Sequence, residues 1–186
     1  GGTTAHLASA LDDRFFHLEH LHGKEGARRA AASHAAAIDD IEAIVRRHDI
    51  DCDFERVPGY LFVGAGQSTA LLEREHDAAT RAGLSCDLIP LAPFPEVDAG
   101  PCLRFDNEAQ LQTLAYLVGL ARAITEAGGR IITGIRVEEV EPGPLSRVHT
   151  DRGVVRAHSV VDATNAAMTS LVKLPLQRAA YRSYVI

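Results

Sequence analysis

The sequence has no tryptophan, a single methionine and only three cysteines among 186 residues. Cys52, Cys86 and Cys102 are far apart and odd in number, and no Cys-x-x-Cys pair occurs. This spacing argues against a disulfide framework or a structural zinc site. It favours free thiols, as in a protein of the reducing cytoplasm.

Long apolar runs and dense basic patches are also missing. The longest apolar stretches, such as 30–32 and 114–120, fall far short of the roughly 20 residues of a membrane-spanning helix. The formal net charge is -6, and no cluster of Lys and Arg is interleaved with aromatic residues. We therefore expect neither a membrane nor a nucleic-acid partner. The 46% of hydrophobic residues can build a buried core.

Apolar periodicity and turn residues predict several helices. A short helix begins after a cap at Asp12 or Asp13 and ends at Gly23, and a longer one covers about 24–48. Further helices are predicted over about 69–82 and 108–127. The first of these is capped by Ser68 and ends at Gly83, and the second follows Asp106 or Asn107 and ends at Gly128-Gly129.

β-Branched and aromatic segments predict the strands. Segments 54–57 and 60–63 flank Pro58-Gly59 and predict a hairpin or a strand–turn–strand. A second hairpin is predicted from 147–150 and 154–156, with Gly153 at positive φ in its turn. Single strands are predicted within 84–91 and at 102–105, 131–133 and 137–140.

Segment 110–165 contains the most informative order of elements. A helix leads through Gly128-Gly129 into β-branched residues, a polar hairpin follows, and the segment closes on Asp162-Ala163-Thr164-Asn165. This order resembles the second half of the FAD-binding domain in FAD-dependent oxidoreductases of the glycine/D-amino-acid oxidase (DAO) family. Asn165 replaces the usual glycine of that family's Ala-Thr-Gly, and Asn tolerates the left-handed backbone.

Two further segments, 2–7 and 181–185, resemble a subgroup of this family. They read Gly-Thr-Thr-Ala-His-Leu and Tyr-Arg-Ser-Tyr-Val. Members of the subgroup often carry a C-terminal Rieske iron–sulfur domain, so such a domain is a possible partner in the parent protein. Its Cys-x-His ligand pairs are absent from this sequence.

The family's cofactor domain opens with a Gly-x-Gly-x-x-Gly turn, and this sequence contains none. It begins at Gly1 without a Met and ends on the apolar segment 181–186. We therefore interpret the chain as an internal fragment, because natural domains seldom end on an open β-rich edge. A missing sheet neighbour would expose apolar surface, which self-association or strand exchange can cover.

The resemblance implies an α+β (mixed α/β) fold with part of an FAD-binding sheet and an antiparallel substrate-domain portion. Segments 1–49 and 106–165 are assigned to the cofactor domain, and 50–105 and 166–186 to the substrate domain. The implied activity is oxidation of an amine, amino acid or related small molecule by hydride transfer to flavin. The alternative is a non-catalytic scaffold or interaction domain.

The resemblance also implies the site residues. The expected FAD contacts are Thr3, Thr4, His6, Val137, Ala163, Thr164 and Asn165. We expect FAD in the intact protein, but weak or no binding by the fragment, because the helix N-terminus for the pyrophosphate is missing. Thr164 and Asn165 can equally cap a following helix over 166–172.

A substrate carboxylate calls for an Arg and a Tyr, and the candidates are Arg182 with Tyr181 or Tyr184, and Tyr60. Strand alternation places Arg182 opposite Tyr181 and Tyr184, and a structural ion pair is the other interpretation of Arg182.

Two other patterns have simple structural explanations. His17 and His20 have the spacing of two metal ligands on a helix, but no third ligand is evident, so we favour a polar helix face and predict no metal site. Gly64, Gly66 and Ser68 precede a helix whose N-terminus can hold an anion. The missing third Gly and P-loop Lys favour an ordinary turn there.

Overall fold

The computed structural model describes residues 3, 5–64, 66, 68–93 and 100–164. The chain divides into two compact units, Gly1–Gly128 and Gly129–Ile186. Helices and antiparallel sheets occur together, which confirms the predicted mixed α and β class. In the described part of the first unit, the helices are α1 (Phe15–Arg47), α2 (Ala70–Ala82) and α3 (Thr113–Glu126). Its strands are β1 (His6–Leu7), β2 (Glu55–Phe62), β3 (Cys86–Ile89) and β4 (Cys102–Gln110).

Helix α1 consists of two helical segments that meet at Gly23, whose φ of 70° and ψ of 171° are not helical. The predicted end of the first segment at Gly23 is thus confirmed. The predicted cap at Asp12 or Asp13 is wrong. Arg14 holds the cap position without a side-chain hydrogen bond, and the first free N–H groups donate to Glu75 of α2 instead. A carboxylate supplied by another helix cannot be read from the local sequence.

Helix α2 begins and ends where its flanking residues predict. The Ser68 hydroxyl oxygen accepts a hydrogen bond from the Ala70 N–H at 3.2 Å. Gly83 ends the helix in the left-handed conformation, with φ of 96°, and its N–H donates back into the last turn. Both features are local, so sequence patterns predict them well.

Strand β4 is the centre of the sheet in the first unit. It pairs antiparallel with β2 along one edge and with β3 and β1 along the other. The predicted hairpin at Pro58-Gly59 is therefore wrong, because β2 runs straight through these residues. The register shifts between Val57 and Gly59, and this irregularity accommodates a proline that has no N–H to donate.

The predicted helix start at residue 108 is also wrong. Ala109 and Gln110 pair with both β1 and β2, so the strand continues further than its sequence indicates. Helix α3 begins only at Thr113, where the Gln112 side chain accepts a hydrogen bond from the Leu114 N–H at 3.3 Å. Pairing with two distant strands overrides the helical periodicity of 108–112.

Two apolar clusters hold the first unit together. One lies between the helices and the sheet and contains Phe15, Ala27, Ala31, Leu72, Ala78, Ala79, Ala82, Cys86, Leu103 and Phe105. The alanines of α1 and α2 allow the two helices to approach closely above the sheet. The other cluster joins the end of α1 to α3 through Ile50, Cys52 and Leu111.

The second unit contains an antiparallel meander of β5 (Val137–Glu141), β6 (Ser146–Thr150) and β7 (Gly153–Ala157). Thr150 pairs with Gly153, whose φ is 141°, so the predicted hairpin is confirmed. The predicted strand at 131–133 is wrong, because the described part of the chain places no strand beside these residues. Ile131 and Ile132 are instead irregular and exposed.

Candidate functional site

An apolar cleft of about 360 Å³ lies within the second unit. It is lined by Ile135, Arg136, Val137, Val140, Val148, Val160, Val161, Asp162, Ala163 and Thr164. Val137, Ala163 and Thr164 are predicted cofactor contacts, and the structure brings all three to this one cleft. They come from the first strand of the meander and from the segment that follows its last strand.

The meander provides the walls of the cleft. Val140 and Val148 are directly opposite each other in β5 and β6, so their side chains share one face of the sheet. The entry to β5 is fixed by Asp151, whose carboxylate accepts a hydrogen bond from the Arg136 N–H at 3.0 Å. The Asp151 N–H in turn donates to the Arg136 carbonyl at 3.1 Å.

A side-chain turn shapes the other wall. The Asp162 carboxylate accepts hydrogen bonds from the N–H of Thr164 at 3.0 Å and from its hydroxyl at 2.5 Å. Such Asx turns order a short segment without regular secondary structure. Asn165 and the alternative helix over 166–172 lie outside the described residues, so the capping role of Thr164 stays a prediction.

The composition of the lining suits a flat aromatic group. Branched aliphatic side chains form most of it, and its polar side chains are Arg136, Asp162 and Thr164. No helix occurs among residues 135–164, so the described lining offers no helix N-terminus for a pyrophosphate.

The other predicted residues are in the first unit or outside the described part. His6 lies in β1 opposite Gln110, and Tyr60 lies in β2 opposite Arg104. Thr3 is exposed, and its hydroxyl accepts a hydrogen bond from the Ala5 N–H at 3.2 Å. Five other predicted site residues lie outside the described residues: Thr4, Asn165, Tyr181, Arg182 and Tyr184.

Sequence reasoning missed two buried carboxylates in the first unit, Glu75 and Glu108. Glu75 is 2% exposed, and its oxygens accept hydrogen bonds from the N–H groups of Phe15 at 2.9 Å and Phe16 at 3.3 Å. Glu108 is 1% exposed and accepts hydrogen bonds from the N–H and hydroxyl of Ser9. Segment 102–111 contains as many polar as apolar residues, so its composition gave no signal that Glu108 is buried.

The cysteines are not candidates for catalysis. Cys52, Cys86 and Cys102 are all buried and none forms a disulfide, which agrees with the expected free thiols. Burial raises the pKa of each thiol. They are therefore protonated and poorly nucleophilic at neutral pH.

Other candidate ligand sites receive no support from the geometry. His17 and His20 line an open groove beside α2, and the part of the chain that the structure describes contains no group of three potential metal ligands. Ser68 uses its hydroxyl oxygen as a helix cap. Among the described residues, no helix is both long and apolar enough to cross a membrane.

Comparison with known proteins identifies the family. Residues 1–186 match the family described as DAO, FAD dependent oxidoreductase. The chain belongs to this family, and the predicted resemblance is confirmed.

Relatives give the same assignment. The chain is 30% identical over 168 residues to a protein of Bacillus subtilis (strain 168) named Rieske 2Fe-2S iron-sulfur protein YhfW, covering 86% of this chain and 32% of the relative. The fold is similar to glycine oxidase from Geobacillus kaustophilus, with a TM-score of 0.67, 16% identity, and coverage of 87% of this chain and 44% of that one. For L-proline dehydrogenase from P. horikoshii, the TM-score is 0.60 at 12% identity, with coverage of 86% and 41%.

The chain thus spans about a third of its curated relative and less than half of each of these two structures. The identities with the solved structures establish a shared fold.

Proposed function

We propose that the intact protein is an FAD-dependent oxidoreductase that oxidises an amine, amino acid or related small molecule by hydride transfer to flavin. Membership of the family supports the cofactor and the reaction class. The observation that carries the proposal to this chain is the convergence of Val137, Ala163 and Thr164 on one apolar cleft.

In this proposal the cleft receives the adenine end of FAD. The valine side chains cover the ring and exclude water, and backbone groups near Val137 and Ala163 meet its polar edge. Thr3, Thr4 and His6 would contact the flavin, and Thr164 and Asn165 would contact the cofactor. When bound, the flavin supplies the hydride acceptor, while the protein orients the substrate and keeps the site dry.

Substrate recognition is assigned to Tyr60, Tyr181, Arg182 and Tyr184. An Arg guanidinium can hold a carboxylate through two parallel hydrogen bonds, and a Tyr hydroxyl adds one more. Segments 50–105 and 166–186 then form the substrate-domain part, and 1–49 and 106–165 the cofactor-domain part. The names of the glycine oxidase and L-proline dehydrogenase structures agree with an amino-acid substrate, without selecting one.

We further propose a Rieske domain elsewhere in the intact protein, because the curated relative from Bacillus subtilis carries that name. An iron–sulfur centre is a suitable acceptor for electrons that leave a reduced flavin one at a time.

The first test is the visible absorption spectrum of the protein purified from its full-length reading frame. Oxidised-flavin bands that a reductant bleaches are expected. A protein that stays colourless after added FAD would remove the flavoenzyme proposal and leave the scaffold alternative.

The cleft itself is tested by placing a carboxylate in it. We expect Val137→Asp in the full-length protein to weaken FAD binding by about tenfold or more, because an unpaired buried charge is costly. Val154→Asp is the matched control, since Val154 is 53% exposed on β7 and is not part of the lining. Equal FAD dissociation constants for the two variants, measured by flavin fluorescence, would show that the cleft does not hold the cofactor.

A further inference from the structure

Glu108 is a buried charged residue without a role in the proposed chemistry. It is 1% exposed on the central strand β4. One of its oxygens accepts a hydrogen bond from the Ser9 N–H at 2.5 Å and the other from the Ser9 hydroxyl at 2.7 Å. Ser9 is 4% exposed, so both partners are removed from water.

The neighbouring strand leaves space for this contact. A Cβ added at Gly59 would lie 2.8 Å from Cγ of Glu108, so a side chain at position 59 would displace the carboxylate. The irregularity of β2 falls at the same place. The bulge and the glycine therefore accommodate a carboxylate aimed at Ser9.

Ser9 follows β1 by two residues, and β1 needs an anchor. This strand has only two residues, paired as His6 with Gln110 and Leu7 with Ala109. The Leu111 N–H donates to the Ala5 carbonyl at 3.3 Å. A strand this short is marginal without further attachment, and the Ser9–Glu108 contact attaches its far end to the sheet.

We propose that Glu108 is a positioning residue for the cofactor site, acting through Ser9 to hold β1 and the adjoining Ala5 and Thr3 in place. This inference rests on the proposed function, in which Thr3 and His6 lie along the flavin. Without Glu108, the buried N–H and hydroxyl of Ser9 lack acceptors, so the segment leaves the sheet to reach water.

A purely structural role for Glu108 is the rival explanation, and Glu75 provides a matched control. Glu75 is also a buried glutamate, and it also accepts two hydrogen bonds, from the N–H groups of Phe15 and Phe16. Its contacts hold the start of α1 and do not involve β1. Loss of either carboxylate should destabilise the fold, whereas only loss of Glu108 should release β1.

The experiment compares Glu108→Ala with Glu75→Ala in the full-length protein. The readouts are the FAD dissociation constant, the melting temperature, and amide hydrogen exchange at Leu7 and Ser9 without FAD. We expect the two variants to lose a similar amount of melting temperature. Glu108→Ala should nevertheless weaken FAD binding at least about tenfold more than Glu75→Ala does. Exchange at Leu7 and Ser9 should rise only in Glu108→Ala.

Milder variants keep the test decisive if Glu108→Ala does not fold. Glu108→Gln retains one acceptor oxygen, and Ser9→Ala removes only the hydroxyl donor, so both should show smaller changes in the same direction. Equal FAD affinities in the Glu108 and Glu75 variants, or unchanged exchange at Ser9, would overturn the positioning role. If the wild-type protein binds no FAD, the proposed function itself is wrong, and the exchange data then decide only whether Glu108 holds β1.

Discussion

At the residue scale, ion pairs of the first unit hold separate elements together. Arg56 of β2 donates hydrogen bonds to Asp39 at 2.6 Å and to Glu42 at 2.7 Å, both on α1. Arg81 of α2 donates to both carboxylate oxygens of Glu19 on α1, at 3.1 and 2.8 Å. A bidentate pair of this kind has more geometric specificity than a single contact.

The Glu19–Arg81 pair predicts a dependence of stability on pH. The hydrogen bond from Arg81 lowers the pKa of Glu19 in the folded protein. A carboxyl group with a depressed folded pKa contributes stability above its unfolded pKa of about 4.3, and this contribution is lost as pH falls through the lower folded value. Glu19→Gln should therefore reduce the unfolding free energy more at pH 7 than at pH 3, in urea titrations of the intact protein.

Glu25→Gln is the control for this measurement. The Glu25 carboxylate is 3.8 Å from Arg28 and 4.0 Å from Arg29 on the exposed side of α1. Exposed pairs of this kind typically contribute about 0–1 kcal/mol, so little change is expected at either pH. If Glu19→Gln reduces the unfolding free energy equally at both pH values, Glu19 stabilises the protein by packing and not by its ion pair with Arg81.

At the scale of elements, glycines set the positions of helices in two different ways. Gly23 and Gly83 adopt positive φ angles of 70° and 96° and interrupt or end their helices locally. Gly119 lies inside α3 and works through a tertiary contact, because an added Cβ would overlap the side chain of Ile50. The segment that follows α1 can therefore pack closely against helix α3 only with glycine at 119.

We expect Gly119→Ala to destabilise the protein although alanine favours helix by about 1 kcal/mol. The clash with buried Ile50 should cost about 1–3 kcal/mol and outweigh that gain. Thermal unfolding measures the net change in stability from the helix propensity and the clash. Gly143→Ala is the control, since a Cβ there meets only the Leu145 carbonyl at 3.7 Å.

Ile50→Ala should reduce the unfolding free energy less in the Gly119→Ala background than in the wild-type protein, because it also removes the clashing atoms. If the loss of unfolding free energy in the double variant equals the sum of the losses in the two single variants, the proposed contact is contradicted.

Some helix and strand boundaries can be predicted from local sequence patterns, and others cannot. The Ser68 cap, the ends at Gly23 and Gly83, and the hairpin ending at Gly153 depend on neighbouring residues, and all are confirmed. Pro58-Gly59 has the composition of a turn, yet pairing with β4 keeps β2 extended through it. Long-range pairing decides such ambiguous segments, and a local pattern contains no information about it.

At the scale of the whole molecule, the chain forms two units and matches one family over its full length. It nevertheless spans 32% of its curated relative. The apolar cleft in the second unit contains three of the predicted cofactor contacts, while the described lining provides no helix N-terminus for a pyrophosphate.

Residues 1–186 alone should therefore bind FAD much more weakly than the intact protein. Phosphate contacts with helix N–H groups and the adenine cleft act together on one ligand, so removal of one set should cost at least about a hundredfold in affinity. Fluorescence titration of both proteins with FAD compares them directly. Saturable binding to 1–186 at sub-micromolar FAD would show that these residues suffice.

The sequence by itself determined the family, the mixed α and β class and the helix and hairpin ends at Gly23, Gly83 and Gly153. These follow from the order of elements, from periodicity and from the need for positive φ, all of which are local. Only the tertiary structure decided that Val137 and Thr164 share one cleft and that Glu75 and Glu108 supply acceptors to distant backbone groups. Such contacts join residues far apart in the chain, and their partners are selected by packing and by the cost of leaving buried polar groups unpaired.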